Sequence, residues 1–249
     1  MKLGLASLLG LVLFAWPFLG GGLLPDAPAL VLALGVVAAL LLVELGARQL
    51  DARGLALLAA LAAIDTALRL AFVQGIGGFS PVFFLVLCAG YVFGASYGFL
   101  VGAVSILVSA LAEGGVGPWL PYQVLATGWV GVAAGVAGLA GRGGRRLPDW
   151  RDVVVLAGVG ALLGYVFGAL MDVQVWVAGF RGNPDLGWLP GMPAAAALRN
   201  FWRFYLATSL AYDSFRAVGN LLMVAALGAP VLAALARVRS RLSFEVLSA

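Results

Sequence analysis

Residues 153–171 read VVVLAGVGALLGYVFGALM, a run without a charged side chain that is long enough to cross the hydrocarbon core of a bilayer as an α-helix. Comparable apolar segments follow one another along most of the chain. They lie at about residues 3–20, 27–47, 54–74, 80–95, 98–113, 119–140, 152–178 and 205–236. The sequence therefore predicts an all-α integral membrane protein with about eight transmembrane helices.

The composition agrees with a membrane protein and excludes several kinds of chemistry. Of the 249 residues, 63% are hydrophobic and 10% are charged, which is far more apolar than ordinary soluble domains. Histidine is absent, which excludes Ser-His catalysis and histidine-ligated metals or haem. The single cysteine, Cys88, cannot form a disulfide within the chain. We expect no cofactor and no metal site. The arginines are scattered at helix ends and do not indicate nucleic-acid binding.

The distribution of basic residues predicts the orientation of the helices. Short cytoplasmic loops of membrane proteins are enriched in Lys and Arg. Most Lys and Arg residues near the predicted helix ends fall on one side of the membrane. The opposite side receives Arg181 and, near the last helix, Arg199 and Arg203. We therefore expect a multi-pass protein of the bacterial cell membrane with both termini in the cytoplasm. The predicted cytoplasmic residues are Lys2, Arg48, Arg53, Arg142, Arg145, Arg146, Arg151, Arg237, Arg239 and Arg241.

The first two spans differ from the rest because they carry few polar residues. Their strongest polar residue is Glu44, near the predicted inner end. Residues 50–53, Leu-Asp-Ala-Arg, resemble a short linker. We therefore divide the chain into two N-terminal transmembrane helices at 1–50, here called the leader, and a six-helix core at 51–249.

Polar residues inside the core spans gather at the predicted outer end, whereas the inner halves of the same helices are almost wholly Ala, Val, Leu and Gly. Ionisable groups in a membrane are costly and usually functional, so this bias predicts a polar chamber that opens outward. For any single residue, headgroup water or a structural pair such as Asp65–Arg69 is the better explanation. The set as a whole favours a binding site, and its members Asp213, Arg216 and Asn220 are spaced i, i+3 and i+7, which places them on one helical face. An alternative places residues 194–215 in an interfacial helix, with the last span starting near Arg216.

Glycine- and proline-rich loops at 74–81 and 114–123 adjoin this predicted chamber and carry aromatic residues that can pack on a flat ligand. An interfacial aromatic belt accounts for most of the other outer tryptophans. We expect Arg216→Ala or Asp213→Ala to weaken ligand binding without unfolding the protein. The candidate substrate-binding residues are Arg69, Phe79, Trp119, Tyr122, Gln123, Asp172, Gln174, Tyr205, Asp213, Arg216 and Asn220.

Several short motifs between Gly54 and Glu245 resemble the substrate-binding S component of energy-coupling factor (ECF) vitamin transporters. The most specific is GVGPWLPYQ at 115–123. The others are ALRL at 67–70, GGFSP at 77–81, GYVFG at 90–94 and GFLVG at 98–102. The leader departs from the six-helix plan of this family.

The resemblance implies a transport subunit that captures a vitamin outside the cell, with a cobalamin-like compound preferred. Riboflavin, a thiamine precursor and a queuosine precursor remain open. It also implies docking onto a membrane T subunit that carries two cytoplasmic ATPase subunits, followed by inward release. Ala59, Ala63 and Ala67 are then docking candidates, since small residues four apart let another helix approach closely. The chain itself has no Walker motif.

Two other functions remain open on the sequence alone. One is a polytopic membrane enzyme acting on a lipid-linked or phosphorylated substrate. Its phosphate-handling residues would be Asp172, Asp213, Arg199, Arg203 and Arg216. No recognisable motif orders them. The other is a scaffold subunit without a ligand.

Overall fold

The protein is described by a computed structural model that covers residues 2–19, 26–46, 50–72, 82–142 and 148–242. All regular structure in these ranges is helical. The helices are α1 (Lys2–Ala15), α2 (Asp26–Gly46), α3 (Ala52–Phe72), α4 (Val82–Phe93), α5 (Ala95–Glu113), α6 (Leu120–Arg142), α7 (Trp150–Gly179), α8 (Ala194–Thr208) and α9 (Leu210–Leu242). A short 3₁₀ turn, Trp16–Leu19, follows α1. The all-α fold class is confirmed.

Five of the described helices are long and apolar enough to cross a membrane, namely those at Ala52–Ala71, Ala95–Glu113, Leu120–Ala140, Trp150–Gly179 and Leu210–Arg241. Shorter apolar helical stretches at Leu3–Phe18, Ala27–Val43 and Phe83–Phe93 coincide with three further predicted spans. Most predicted segments match a helix to within about three residues, because hydropathy marks where a helix leaves the apolar environment.

The predicted last span, 205–236, is wrong at its start. The chain forms two helices here, and Ser209 separates α8 from α9. The Thr208 hydroxyl donates to the carbonyl of Phe204 at 2.8 Å, a type of side-chain bond that bends helices. The alternative of a separate helix within 194–215 describes α8 better. The final helix nevertheless begins at Leu210 rather than near Arg216.

α4 is the central helix of the bundle. Its residues from Phe83 to Val92 are all buried, and it contacts α3, α5, α6, α7 and α9. The connection to α5 is the single residue Gly94, whose φ of 98° lies in the left-handed region that favours glycine. Close packing continues where Gly98 of α5 meets Gly131 of α6, because a Cβ at either position would overlap the backbone of the other helix.

The leader packs directly on the core. Trp129 of α6 donates its indole N–H to the Ser7 hydroxyl at 3.1 Å. Phe14 meets Tyr122 of α6 edge-on, with ring centroids 5.0 Å apart. Phe18, in the 3₁₀ turn, meets Trp188 at 5.4 Å. Leader and core residues therefore share one hydrophobic cluster.

Contacts between the core helices fix which helix ends lie together: α3 runs parallel to α5, whereas α6 is antiparallel to α5 and α9 is antiparallel to α7. We call the end at which α3, α5 and α7 finish, and α6 and α9 begin, the upper end. The opposite, lower end carries the start of α7, where Asp149 and Asp152 form a reciprocal capping box. Asp152 also accepts a hydrogen bond from the buried Tyr91 hydroxyl of α4. This buried polar pair lies in a region that the sequence predicted to be almost wholly apolar.

Candidate functional site at the upper end of the bundle

Polar side chains at the upper end form two clusters on different helix pairs. The first, the α3–α5 seam, consists of Asp65, Thr66, Arg69, Ser105, Ser109 and Glu113. The second, the α7–α9 seam, consists of Asp172, Asp213, Arg216 and Asn220, together with Tyr205 of α8. No hydrogen bond or ion pair between described residues joins the two seams.

The α3–α5 seam is built from two matching stripes. Ser105, Ser109 and Glu113 follow one another four residues apart, so they lie on one face of α5. Asp65 and Arg69 have the same spacing on α3. The two helices run in the same direction, which brings Asp65 beside Ser105 and Arg69 beside the upper two residues.

Arg69 is held by α5 rather than by its neighbour on α3. Its guanidinium donates to the Ser109 hydroxyl at 2.6 Å and lies 3.5 Å from the Glu113 carboxylate. Asp65 interacts electrostatically with Arg69, but its carboxyl oxygens form no hydrogen bond with a described residue. The Asp65–Arg69 structural pair considered from the sequence is therefore not formed as a hydrogen-bonded pair.

Unpaired buried atoms distinguish this seam. Asp65 is fully buried, and neither of its carboxylate oxygens has a hydrogen-bond partner among the described residues. The Ser105 hydroxyl lies close enough to interact with the Asp65 carboxyl group, but the two do not meet hydrogen-bond geometry, and the hydroxyl is buried without another partner among the described residues. Buried polar groups in proteins are nearly always hydrogen-bonded, so each exception needs an explanation. A ligand group is one such explanation.

The upper end of α6 adds two more unpaired hydroxyl groups. Tyr122 is buried and its phenol lacks a partner within the described protein, as does the hydroxyl of Thr127. Gln123 is half-buried. Trp119 is 44% exposed and its indole N–H donates to the carbonyl of Gly115 at 3.3 Å, so its ring folds back over its own loop.

The α7–α9 seam pairs its charges internally. Arg216 forms an ion pair with Asp213 and donates to the carbonyl of Gly164 at 3.4 Å. Tyr205 donates its phenol hydrogen to the other Asp213 oxygen at 3.0 Å. The guanidinium also lies 5.2 Å from the Phe167 ring centroid and 4.9 Å from that of Tyr212. Burial and the adjoining carboxylate raise the pKa of the Tyr205 phenol above its usual range.

Glycines on α7 make room for this second seam. The carboxylate of Asp213 packs directly on Gly168, where a Cβ would overlap it. One turn lower, Gly164 packs on the backbone of Ala217. A Cβ atom at position 164 would lie only 2.9 Å from the Cα atom of Ala217. Lower again, Asn220 donates to the carbonyl of Gly160 at 3.1 Å. The predicted face of Asp213, Arg216 and Asn220 therefore points into a helix–helix contact.

Two oxygens in the α7–α9 seam have no hydrogen-bond partner among the described residues. They are one carboxylate oxygen of Asp172 and the side-chain oxygen of Asn220. Asp172 lies within electrostatic reach of Asp213 and Arg216. Gln174 is buried in α7. Phe79 and Gln74 lie outside the described residues.

Most outer aromatic residues pack on one another. Trp176 meets Phe201 at 5.2 Å, and Phe180 meets Phe204 at 4.7 Å. Trp176 also donates its indole N–H to the carbonyl of Leu186 at 2.6 Å, which ties the loop after α7 to that helix. These rings therefore stabilise the loop and α8 rather than presenting free faces to a ligand.

The sequence interpretation missed Asp65, Ser105, Ser109 and Thr127 as site residues. Hydropathy hides single serines and threonines in a helix, since they can bond the preceding turn, as Ser109 does with the carbonyl of Ile106 at 3.1 Å. The spacing of Ser105, Ser109 and Glu113 was the available signal. No group of three or more His, Cys, Asp or Glu side chains in the described part of the chain is placed to hold a metal ion.

Together, the helical fold and the polar upper end define a membrane protein with a candidate binding site inside its bundle. The sequence model of the family described as "ECF transporter, substrate-specific component" matches residues 54–228, which is most of the chain. The chain therefore belongs to this family, and it is a membrane-embedded substrate-binding subunit of an ECF importer. Such components are transport subunits rather than enzymes. No curated protein and no solved structure matches the chain.

Proposed function

We propose that this S component captures a vitamin or similar micronutrient at the upper end of the bundle, and that the α3–α5 seam contacts it. The fully buried Asp65 carboxyl group, which has no hydrogen-bond partner among the described residues, is the observation that carries this assignment. Leaving a polar group buried and unpaired is expensive, so a ligand that pairs with it gains that energy on binding. Tyr122 and Thr127 contribute further unpaired hydroxyls on α6.

The remaining candidates take different roles in this proposal. Trp119 and Gln123 are neighbours of Tyr122 in the chain and stay candidates for ligand contact, as does Phe79, which lies outside the described residues. Arg69 positions the seam through Ser109 and Glu113. Asp213, Arg216, Tyr205 and Asn220 brace α7 against α9, whereas Asp172 and Gln174 stay candidates for ligand contact from α7.

The upper end faces the outside of the bacterial cell in our proposal, and both termini are cytoplasmic. The support is the excess of Lys and Arg near the lower helix ends, as the positive-inside rule requires. Arg53 at the start of α3 and Arg237 near the end of α9 are both exposed examples. Capture of a substrate from outside the cell then requires a polar site at the upper end, where both seams lie.

Native mass spectrometry of the purified full chain tests the substrate class. The panel is cobalamin, riboflavin, thiamine, a thiamine precursor and a queuosine precursor. We expect a one-to-one complex with one of them, a cobalamin-like compound first, and loss of that complex in Asp65→Asn. If no member binds the folded protein, the vitamin assignment is contradicted, while the role as an S component stands on the family match.

Docking onto the T subunit and its two ATPases involves, in our proposal, the α3 face with Ala59, Ala63 and Ala67. All three residues are exposed, and their spacing places them along one side of the helix. Ala63→Leu should abolish copurification with the T subunit and leave folding and ligand binding unchanged. Ala225→Leu, at an exposed position on α9, is the matched control. Equal copurification of the two variants would exclude this face.

A further inference from the structure

α8 is amphipathic and differs in character from the long apolar helices. It has 15 residues and is not among the described helices long and apolar enough to cross a membrane. One side of it is fixed against the protein. Asn200 donates to the carbonyls of Pro184 and Gly187 at 3.3 and 3.0 Å, and Phe204 is buried against Phe180. The orientation of α8 about its own axis is therefore determined.

The other side of α8 carries an apolar stripe. Leu198, Trp202 and Leu206 are spaced four residues apart and are 59%, 50% and 58% exposed. A helix advances about 100° per residue, so these three residues share one face. Apolar and tryptophan side chains on such a face enter the boundary between headgroups and acyl chains.

A basic stripe lies directly beside the apolar one. Arg199 and Arg203 each follow a member of the apolar stripe, are exposed, and lie one turn apart. Neither forms an ion pair or hydrogen bond with another described residue, whereas Arg69 and Arg216 both have carboxylate partners. Two guanidinium groups one turn apart are complementary to a phosphate, which they can bind through paired N–H···O contacts.

We propose that α8 lies in the membrane interface and that Arg199 and Arg203 bind the phosphate of an anionic phospholipid. Leu198, Trp202 and Leu206 enter the acyl boundary, and the arginines then reach the headgroup level beside them. The other side of α8 contacts Trp176 and Phe180 at the end of α7, so the lipid would be held at the rim of the upper end.

Lipid titration of the delipidated full chain, followed by native mass spectrometry, tests this site. Phosphatidylglycerol is compared with phosphatidylcholine. We expect the wild type to prefer phosphatidylglycerol, and Arg199→Gln/Arg203→Gln to weaken that binding by about tenfold to thirtyfold, because each basic residue near a membrane surface contributes about 1 kcal/mol. Phosphatidylcholine binding should not change.

Arg181→Gln is the matched control, since Arg181 is an exposed arginine in the loop that precedes α8. It should retain the wild-type preference. Arg199→Lys/Arg203→Lys keeps the charge and should keep most of the preference, which separates charge from folding if the glutamine variant is unstable. Wild-type phosphatidylglycerol binding in the glutamine variant, or an equal loss in Arg181→Gln, would overturn the proposal.

Discussion

The α3–α5 seam and the α7–α9 seam contain the same kinds of residue, but the hydrogen bonding of their buried carboxyl groups differs. In the α7–α9 seam, Asp213 is bonded to Arg216 and Tyr205. In the α3–α5 seam, Asp65 is equally buried and has no hydrogen-bond partner among the described residues. Residue type and depth are therefore the same for the two carboxyl groups, and only their pairing inside the protein differs. We propose that this pairing distinguishes a structural carboxyl group from one that binds the substrate.

The largest effect should come from breaking the paired seam. Asp213→Ala leaves Arg216 buried without its carboxylate, and we expect a loss of about 3–5 kcal/mol in the free energy of unfolding. Chemical unfolding in detergent measures it. Replacing both partners, as in Asp213→Leu/Arg216→Met, should recover part of the loss. Asp185→Ala, in the exposed loop, is the control and should be neutral. Loss of ligand affinity without loss of stability in Asp213→Ala would instead support the original binding assignment.

The next effect concerns the unpaired seam. Asp65→Asn should weaken substrate binding by about tenfold to a hundredfold, because leaving a buried ligand group without its hydrogen-bond partner costs about 1–3 kcal/mol. Calorimetry with the vitamin identified in the panel provides the measurement. Asp185→Asn, in the exposed loop after α7, is a carboxylate control outside both seams. Unchanged affinity in Asp65→Asn would remove this seam from the site.

A smaller effect tests the glycine face opposite Asp213. Gly168→Ala places a methyl group where the carboxylate lies, and overpacking of this kind costs about 1–3 kcal/mol. Gly158→Ala lies on the same helix with open space around it and should be neutral or slightly stabilising. Thermal unfolding compares the two. Equal unfolding midpoints would mean that the α7–α9 contact has room for a methyl group at position 168.

The smallest effect is expected at the rim of the α3–α5 seam. Glu113→Gln removes the ion pair between Glu113 and Arg69. Because both side chains are partly exposed, the loss in the free energy of unfolding should be below about 1 kcal/mol. Arg69 keeps its bond to Ser109 in this variant. A loss comparable to that of Asp213→Ala, measured in the same unfolding assay, would show that the two seams are equally structural.

Hydropathy predicted most helix bounds because the change from apolar to polar residues is local. It did not predict the break at Ser209, since no glycine or proline interrupts residues 194–215. The face formed by Asp213, Arg216 and Asn220 was also predicted. Its partner was not, because Gly164 and Gly168 lie about fifty residues earlier and their role depends on tertiary packing.

The most direct test compares Asp65→Asn with Asp213→Asn in ligand-free protein, using unfolding midpoints in the same detergent. Our account predicts a large loss of stability for Asp213→Asn, because Arg216 and Tyr205 lose a charged partner. We predict an unchanged or higher midpoint for Asp65→Asn, because no hydrogen bond to a described residue is lost when this buried, unpaired carboxyl group is replaced. Equal losses in the two variants, or a larger loss in Asp65→Asn, would contradict the distinction between a structural seam and a binding seam.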